Sequence, residues 1–242
     1  MNIKKYFLLL TKMKYLKGAL KKTEAEIESI ENPFGDYYVI KLKPQAELTW
    51  KPGEHGIFKL VDKNIKGKDY RIFSVASTPE EGSILLGTRI SSEPSSYKKE
   101  LISMKQGEKI KVTGPFGWFL VKDDVSPMVL FASGVGITPI RGLLKQLEND
   151  QSRPIEIVYV SNEYYLFEEE IEEIRSKNPK IKLYKVKTPR GAQERLVKLA
   201  KKYKNNAYYY ISGAPAVLQS ISKLLKKSGI KKVIHDEFDG YK

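Results

Sequence analysis

Two short stretches hold residue types that can do chemistry together. At Arg71-Ile72-Phe73-Ser74, an arginine able to pair with phosphate in a bidentate manner is followed two residues later by an aromatic on the same strand face, with a hydroxyl donor beside it. At Gly134-Val135-Gly136-Ile137-Thr138-Pro139, two glycines let backbone N–H groups approach a diphosphate closely. A helix opening near Pro139 would turn its positive dipole end on the same anion, and proline suits a first helical turn because its missing N–H costs nothing there. Each stretch alone also reads as ordinary strand or tight turn. Together they point to a phosphate-bearing ligand.

Composition narrows the chemistry further. The 242 residues include no cysteine, which removes disulfides, thiolate nucleophiles, Cys-ligated zinc and Cys-ligated iron–sulfur clusters. With only His55 and His235, a His-based metal site or a Ser-His-Asp triad lacks material, and no metal is expected. Any redox chemistry must then come from an organic cofactor. The net charge of +14, from 43 Lys and Arg against 29 Asp and Glu, would attract acidic proteins, anionic cofactors, nucleic acid or anionic lipid, and charge alone does not choose. No run of lysines and aromatics forms a base-stacking platform, since Tyr208 to Tyr210 sit in an apolar, strand-like context; nucleic acid is not expected.

The elements that must position these residues follow from periodicity. The N-terminal segment 1–22 reads as an amphipathic helix, with Tyr6, Leu9, Leu10, Met13, Leu16 and Leu20 on one face; packing against protein is favoured over contact with a membrane surface. Its apolar run is short, is broken by Lys12 and Lys14 and lacks a cleavage site, so it is not read as a signal peptide, and a cytoplasmic location is expected. Strands are expected at 25–30, 37–42, 56–61, 71–76, 83–90 and 109–113, with one helix at 96–104, which is the rhythm of a small antiparallel β-barrel over 23–124. From about residue 127 longer apolar strands (128–132, 155–160, 182–186, 207–212, 233–238) alternate with amphipathic helices (from 139, then 166–176, 193–202, 216–227). That pattern requires a mostly parallel, Rossmann-like α/β domain, assigned to 125–242, with a hinge near Lys122 to Pro127.

The Arg71 block, read on through Val75-Ala76-Ser77-Thr78-Pro79, resembles the R-x-[YF]-S flavin signature of the ferredoxin-NADP reductase superfamily, and Gly134 to Pro139 resembles its nicotinamide-side G-x-G-x-x-P motif. Pro52-Gly53-Glu54-His55 is similar to the family's strand entry, Gly114-Pro115-Phe116-Gly117 to its barrel-closing turn, and Glu237-Phe238-Asp239-Gly240-Tyr241 to the C-terminal aromatic segment of several members. The five motifs stand in the family's order over residues 23–241.

The resemblance implies FAD and NADH or NADPH as co-substrate. Arg71 would hold the flavin phosphate, Phe73 would line the isoalloxazine or ribityl chain, Ser74 would bond near flavin N5, and Ser95 and Ser96 would meet the pyrophosphate at a helix N-terminus. Gly134, Gly136 and Thr138 would receive the nucleotide's phosphates and ribose, and Phe238 would cover the flavin face. His55, Ile72, Thr88 and Ile90 complete the barrel side of the implied cofactor site; Ile137, Pro139, Ser161, Asn162 and Gly213 complete the nucleotide side. Ser74, Ser212, Glu237 and Phe238 are the implied catalytic residues.

Two departures stand out: Ser212-Gly213-Ala214-Pro215 replaces the family's Cys-Gly turn, and Ser161-Asn162-Glu163 lacks the arginine that NADP-using relatives often carry. The second leans towards NADH, although Lys185, Lys187 and Arg190 offer charge. The implied reaction is hydride transfer from NAD(P)H to FAD, with electrons passed to a ferredoxin- or flavodoxin-like acidic protein, free flavin or a ferric complex. A non-catalytic flavin-binding relay subunit of a larger redox complex is the alternative.

Overall fold

The computed structural model describes residue 15 and residues 17–45 and 48–236. The chain divides into two compact units, Met1–Leu120 and Val121–Lys242. Most of the N-terminal helix expected at 1–22, and Glu237 and Phe238, lie outside the described residues. At the end of that segment Lys17–Leu20 form one 3₁₀ turn and Lys22 already begins a strand, so the expected helix does not run to residue 22. Gly18 sits so close to Pro115 that a Cβ there would lie 1.9 Å from the Pro115 carbonyl oxygen.

In the first unit, β1 (Lys22–Phe34), β2 (Tyr37–Pro44), β3 (His55–Leu60), β4 (Tyr70–Ser74), β5 (Ile84–Arg89) and β6 (Lys109–Phe116) form one curled antiparallel sheet in the order β4-β3-β6-β1-β2-β5, with α1 (Ser96–Ser103) between β5 and β6. The alternation of the strands puts Ile27, Ile40, Leu42, Phe58, Leu86 and Val112 into a common core, which Tyr97 and Leu101 of α1 complete. The edge strands β4 and β5 are drawn together just past the Arg71 block: Ala76 N–H donates to the Leu85 carbonyl (2.7 Å), and Ser77 Oγ donates to the Ser83 carbonyl (2.7 Å) while accepting from Leu85 N–H (3.0 Å). The residues after Ser74 therefore close the barrel.

In the second unit, β7 (Met128–Ser133), β8 (Ile155–Val160), β9 (Ile181–Val186), β10 (Tyr208–Ser212) and β11 (Val233–His235) form a parallel sheet in the order β11-β10-β7-β8-β9. Every residue of β8 is buried, as expected of a strand covered on both faces. The helices α2 (Ile137–Gln146), α3 (Glu168–Lys177), α4 (Pro189–Tyr203) and α5 (Pro215–Lys227) connect the strands. The last strand is shorter than expected and ends at His235. Residues 122–127, read from sequence as a hinge, are pinned within this unit: the Arg153 guanidinium donates to the Asp123 carbonyl, and the Asp123 carboxylate accepts from Ser126 N–H (2.7 Å) and Ser126 Oγ (2.7 Å). The strand order reverses between β7 and β10, and in open parallel sheets the crevice beyond the carboxyl ends at such a reversal is where ligands bind.

Candidate functional site

In the first unit the site is built around Arg71 on β4, which is 6% exposed. Its Nη1 donates to the Lys68 and Tyr70 carbonyls, both at 2.8 Å, and its Nη2 donates to Ser95 Oγ at 2.8 Å. The guanidinium lies 5.0 Å from the centroid of the Tyr97 ring, and the Tyr97 hydroxyl is tied to the Phe58 carbonyl at 3.0 Å. Ser95 is the N-cap of α1 and accepts from Lys98 N–H, while Ser96 Oγ accepts from Lys66 N–H at 3.1 Å. Arg71 is thus fixed against the positive end of a helix. Lys98, in the first turn of α1, adds a second cation; burial and then the nearby Arg71 charge depress its pKa. Such a concentration of positive charge fits the phosphates of a dinucleotide.

The other expected barrel residues fall into two groups. Phe73, expected to line a flavin, is part of the barrel core: it is 8% exposed and packs against the rings of Phe58 (5.8 Å) and Tyr97 (6.5 Å). The cause is strand alternation, because Arg71 and Phe73 share the β4 face that pairs across from Phe58 and Gly56, and beyond Arg71 that face points into the barrel. Ile72 takes the opposite face. His55 and Ser74 are register partners, both buried, and His55 packs edge-on against Phe116 at 4.8 Å. Burial lowers the His55 pKa to about 4, so its imidazole is neutral at physiological pH. Thr88 and Ile90 lie buried at the end of β5.

In the second unit two turns meet at the strand-order reversal. Gly134, with φ of +54°, leads from β7 into a 3₁₀ turn and on to α2. A Cβ at Gly136 would lie 2.5 Å from the Ser212 carbonyl oxygen and 2.7 Å from the Gly213 nitrogen, and one at Gly213 would meet the Ser133 Cβ at 3.1 Å. Gly136 therefore lets the β7–α2 turn touch the end of β10, a packing demand separate from any ligand. Thr138 Oγ1 donates to the Val135 carbonyl (2.7 Å) and holds the turn, and Ile137 and Pro139 are buried in α2. Ser212 is fully buried and donates its hydroxyl to Asp236 Oδ2 at 2.9 Å. Asp236 was missed in the sequence because its partner lies 24 residues away; the only signal was its place beside the expected Glu237-Phe238 segment.

At the end of β8, Ser161 is buried and donates to the Tyr164 carbonyl, whereas Asn162 is exposed. Of the three cations near the end of β9, Lys185 pairs with Glu168, and Arg190 pairs with Glu194 at 3.0 Å. Lys187 has no recorded ion pair among the described residues. No group of three or more His, Cys, Asp or Glu that could hold a metal ion occurs among the described residues.

Residues 130–223 match the oxidoreductase NAD-binding domain model. The match lies within the second unit and includes the Gly134 to Pro139 turn. The sequence of the chain is 26% identical over 202 residues to a subunit of the Na(+)-translocating NADH-quinone reductase of Haemophilus influenzae, an alignment covering 70% of this chain and 48% of the relative. The chain thus spans about half the length of the curated relatives it matches. Among solved structures, the ferredoxin-NADP+ reductase of Plasmodium falciparum superposes with a TM-score of 0.75 at 19% identity, over 90% of this chain and 96% of that one. The flavohemoglobin of Malassezia yamatoensis, solved with bound FAD and heme, superposes with a TM-score of 0.73 at 19% identity, over 89% of this chain and 59% of that one. These two likenesses are of fold. A curled antiparallel sheet in one unit and a parallel α/β sheet in the other match the two-domain fold of those structures.

Proposed function

We propose that the chain binds FAD on its barrel unit and NADH on its α/β unit and passes hydride equivalents from the nucleotide to the flavin. The observation that carries this reading is the Arg71–Ser95 pair at the N-terminus of α1, where a buried guanidinium and a helix dipole converge at the position of the flavin signature. When bound, FAD would accept two electrons from the nicotinamide and release them singly or in pairs. The chain's own part is to hold and to exclude water. Arg71 and Lys98 would neutralise the dinucleotide phosphates, Ser95 would hold Arg71 in place, and the α2 N-terminus after Gly134 would turn its positive dipole end on the nicotinamide nucleotide. No strong general base is needed, in keeping with a neutral, buried His55.

NADH is favoured over NADPH because, of the three cations available for a 2′-phosphate, Lys185 and Arg190 are already paired with glutamates. The acceptor is an acidic electron-transfer protein, free flavin or a ferric complex. A second reading, a non-catalytic flavin-binding electron-relay subunit of a larger assembly, draws on the relatives' description as subunits of a quinone reductase. Steady-state reduction of ferricyanide by the FAD-loaded chain separates these readings: turnover with NADH, at least about tenfold (about 1.4 kcal/mol) above that with NADPH, supports the enzyme. A bound flavin that neither nucleotide reduces, so that no ferricyanide is consumed, supports the relay.

A further inference from the structure

The positive charge of this chain is not spread evenly. Residues 189–232 carry eleven Lys and Arg against one Glu, so 44 of 242 residues supply ten of the fourteen net charges. In the fold these residues are α4, α5, the strand β10 between them and the loops that follow the two helices. The two helices share a core with Val129, Phe131, Val158, Tyr209 and Ile211 on one face of the parallel sheet. Between residues 163 and 173, by contrast, six glutamates and no basic residue lie in and just before α3.

Within the basic layer the lysines gather at one end. Lys198, Lys201 and Lys204 end α4; Lys226, Lys227 and Lys231 end α5; all six are exposed, and none has a recorded ion pair among the described residues. The two loops are locked side by side, because Asn205 Nδ2 donates to the Gly229 carbonyl (3.0 Å) and Asn205 Oδ1 accepts from Lys231 N–H (2.7 Å). These loops lead into the starts of β10 and β11, so the lysine end is the edge of the sheet opposite the carboxyl-end crevice where Gly134, Gly136 and Gly213 meet.

We infer that this lysine-bearing edge rests on an anionic lipid surface. Interfaces with folded proteins are anchored by aromatic residues and arginine and are poor in lysine. Here Arg190 is paired with Glu194, Arg195 is stacked 4.1 Å from the Tyr184 ring centroid, and the large exposed hydrophobics of the described residues, Leu20, Phe34 and Val125, lie outside residues 189–232. Nucleic acid would draw on helix N-termini and stacking aromatics, whereas this edge presents helix C-termini. Exposed ammonium groups without an apolar anchor match a diffuse layer of acidic headgroups, which attracts each lysine within a Debye length. Docked in this way, the sheet turns its nucleotide crevice to solvent.

The test is co-sedimentation of the full chain with phosphatidylcholine vesicles, with and without about one-third phosphatidylserine, at low and high salt. Binding should be at least about tenfold stronger with the acidic lipid and should vanish at high salt, where screening shortens the reach of each charge. A K198E/K201E/K226E/K231E variant should lose it, while a control with equal charge change in the first unit, K43E/K51E/K105E/K111E, should keep most of it. Circular dichroism verifies that both are folded; K198Q/K201Q/K226Q/K231Q serves if the first is not. Failure of the wild type to bind acidic vesicles overturns the inference, as does equal loss in both variants or tighter, edge-dependent capture by duplex DNA than by vesicles. The readout needs neither FAD nor NADH, so it stands or falls apart from the reductase reading.

Discussion

At the scale of single residues, Arg71 carries the most weight. It makes three hydrogen bonds from a charged group, two of which hold its own strand end and the third the helix cap that would face phosphate. Arg71→Ala should weaken FAD binding by about 10- to 100-fold, the value of roughly 1.5–3 kcal/mol for hydrogen bonds to a charged group. Fluorescence titration of the FAD-depleted chain measures this, and unchanged affinity would remove Arg71 from the site. His55 gives a prediction of a different kind. Its folded pKa of about 4 lies below the unfolded value of 6.5, so the unfolded chain binds more protons between those limits. Folding is then fully stable in this respect above about pH 6.5 and loses up to about 3 kcal/mol as pH falls to 4. His55→Gln should flatten that part of the stability–pH curve measured by urea unfolding; an unaltered curve would show that the ring takes up its proton alike in the folded and unfolded chain. Arg71 could be picked out from the sequence because its motif is local, and Ser95 only through the family resemblance, but Lys98 and Asp236 could not, since each acquires its neighbours only through the tertiary fold.

At the scale of elements, alternation along β4 placed Arg71 and Phe73 on one face, as the sequence implied, but which way that face points depends on how the sheet curls. Curling is a property of six strands together, and it turned Phe73 into the core. The same logic changes the meaning of Gly136. Read in one dimension it belongs to a phosphate turn; in the fold it is the point where the β7–α2 turn touches the Ser212 carbonyl. Gly136→Ala should therefore destabilise the second unit by about 1–3 kcal/mol through overpacking. Scanning calorimetry with nucleotide titration should find lowered stability together with lost nucleotide binding. Lost binding at full stability would instead assign the glycine to the ligand alone. A longer side chain, as in Gly136→Val, would report mainly on folding.

At the scale of the whole molecule, the change from short antiparallel strands to alternating strands and helices was legible from residue 127 onward, because period and element length differ so strongly between the two plans. The exact division, at Leu120 and Val121, was not, since residues 122–127 look polar and loose until Arg153 is seen to hold them. The overall charge also gained a location: a uniform +14 in the composition becomes a basic helix layer on one face of the second unit. On the proposed function the two units work on one pair of electrons, one holding FAD and the other NADH. The most direct measurement is the visible spectrum of the FAD-loaded chain, recorded anaerobically before and after one equivalent of NADH. The expected result is a yellow protein whose flavin absorbance bleaches within seconds of adding NADH. A colourless protein that takes up no FAD, or a bound flavin that neither NADH nor NADPH bleaches, would contradict it.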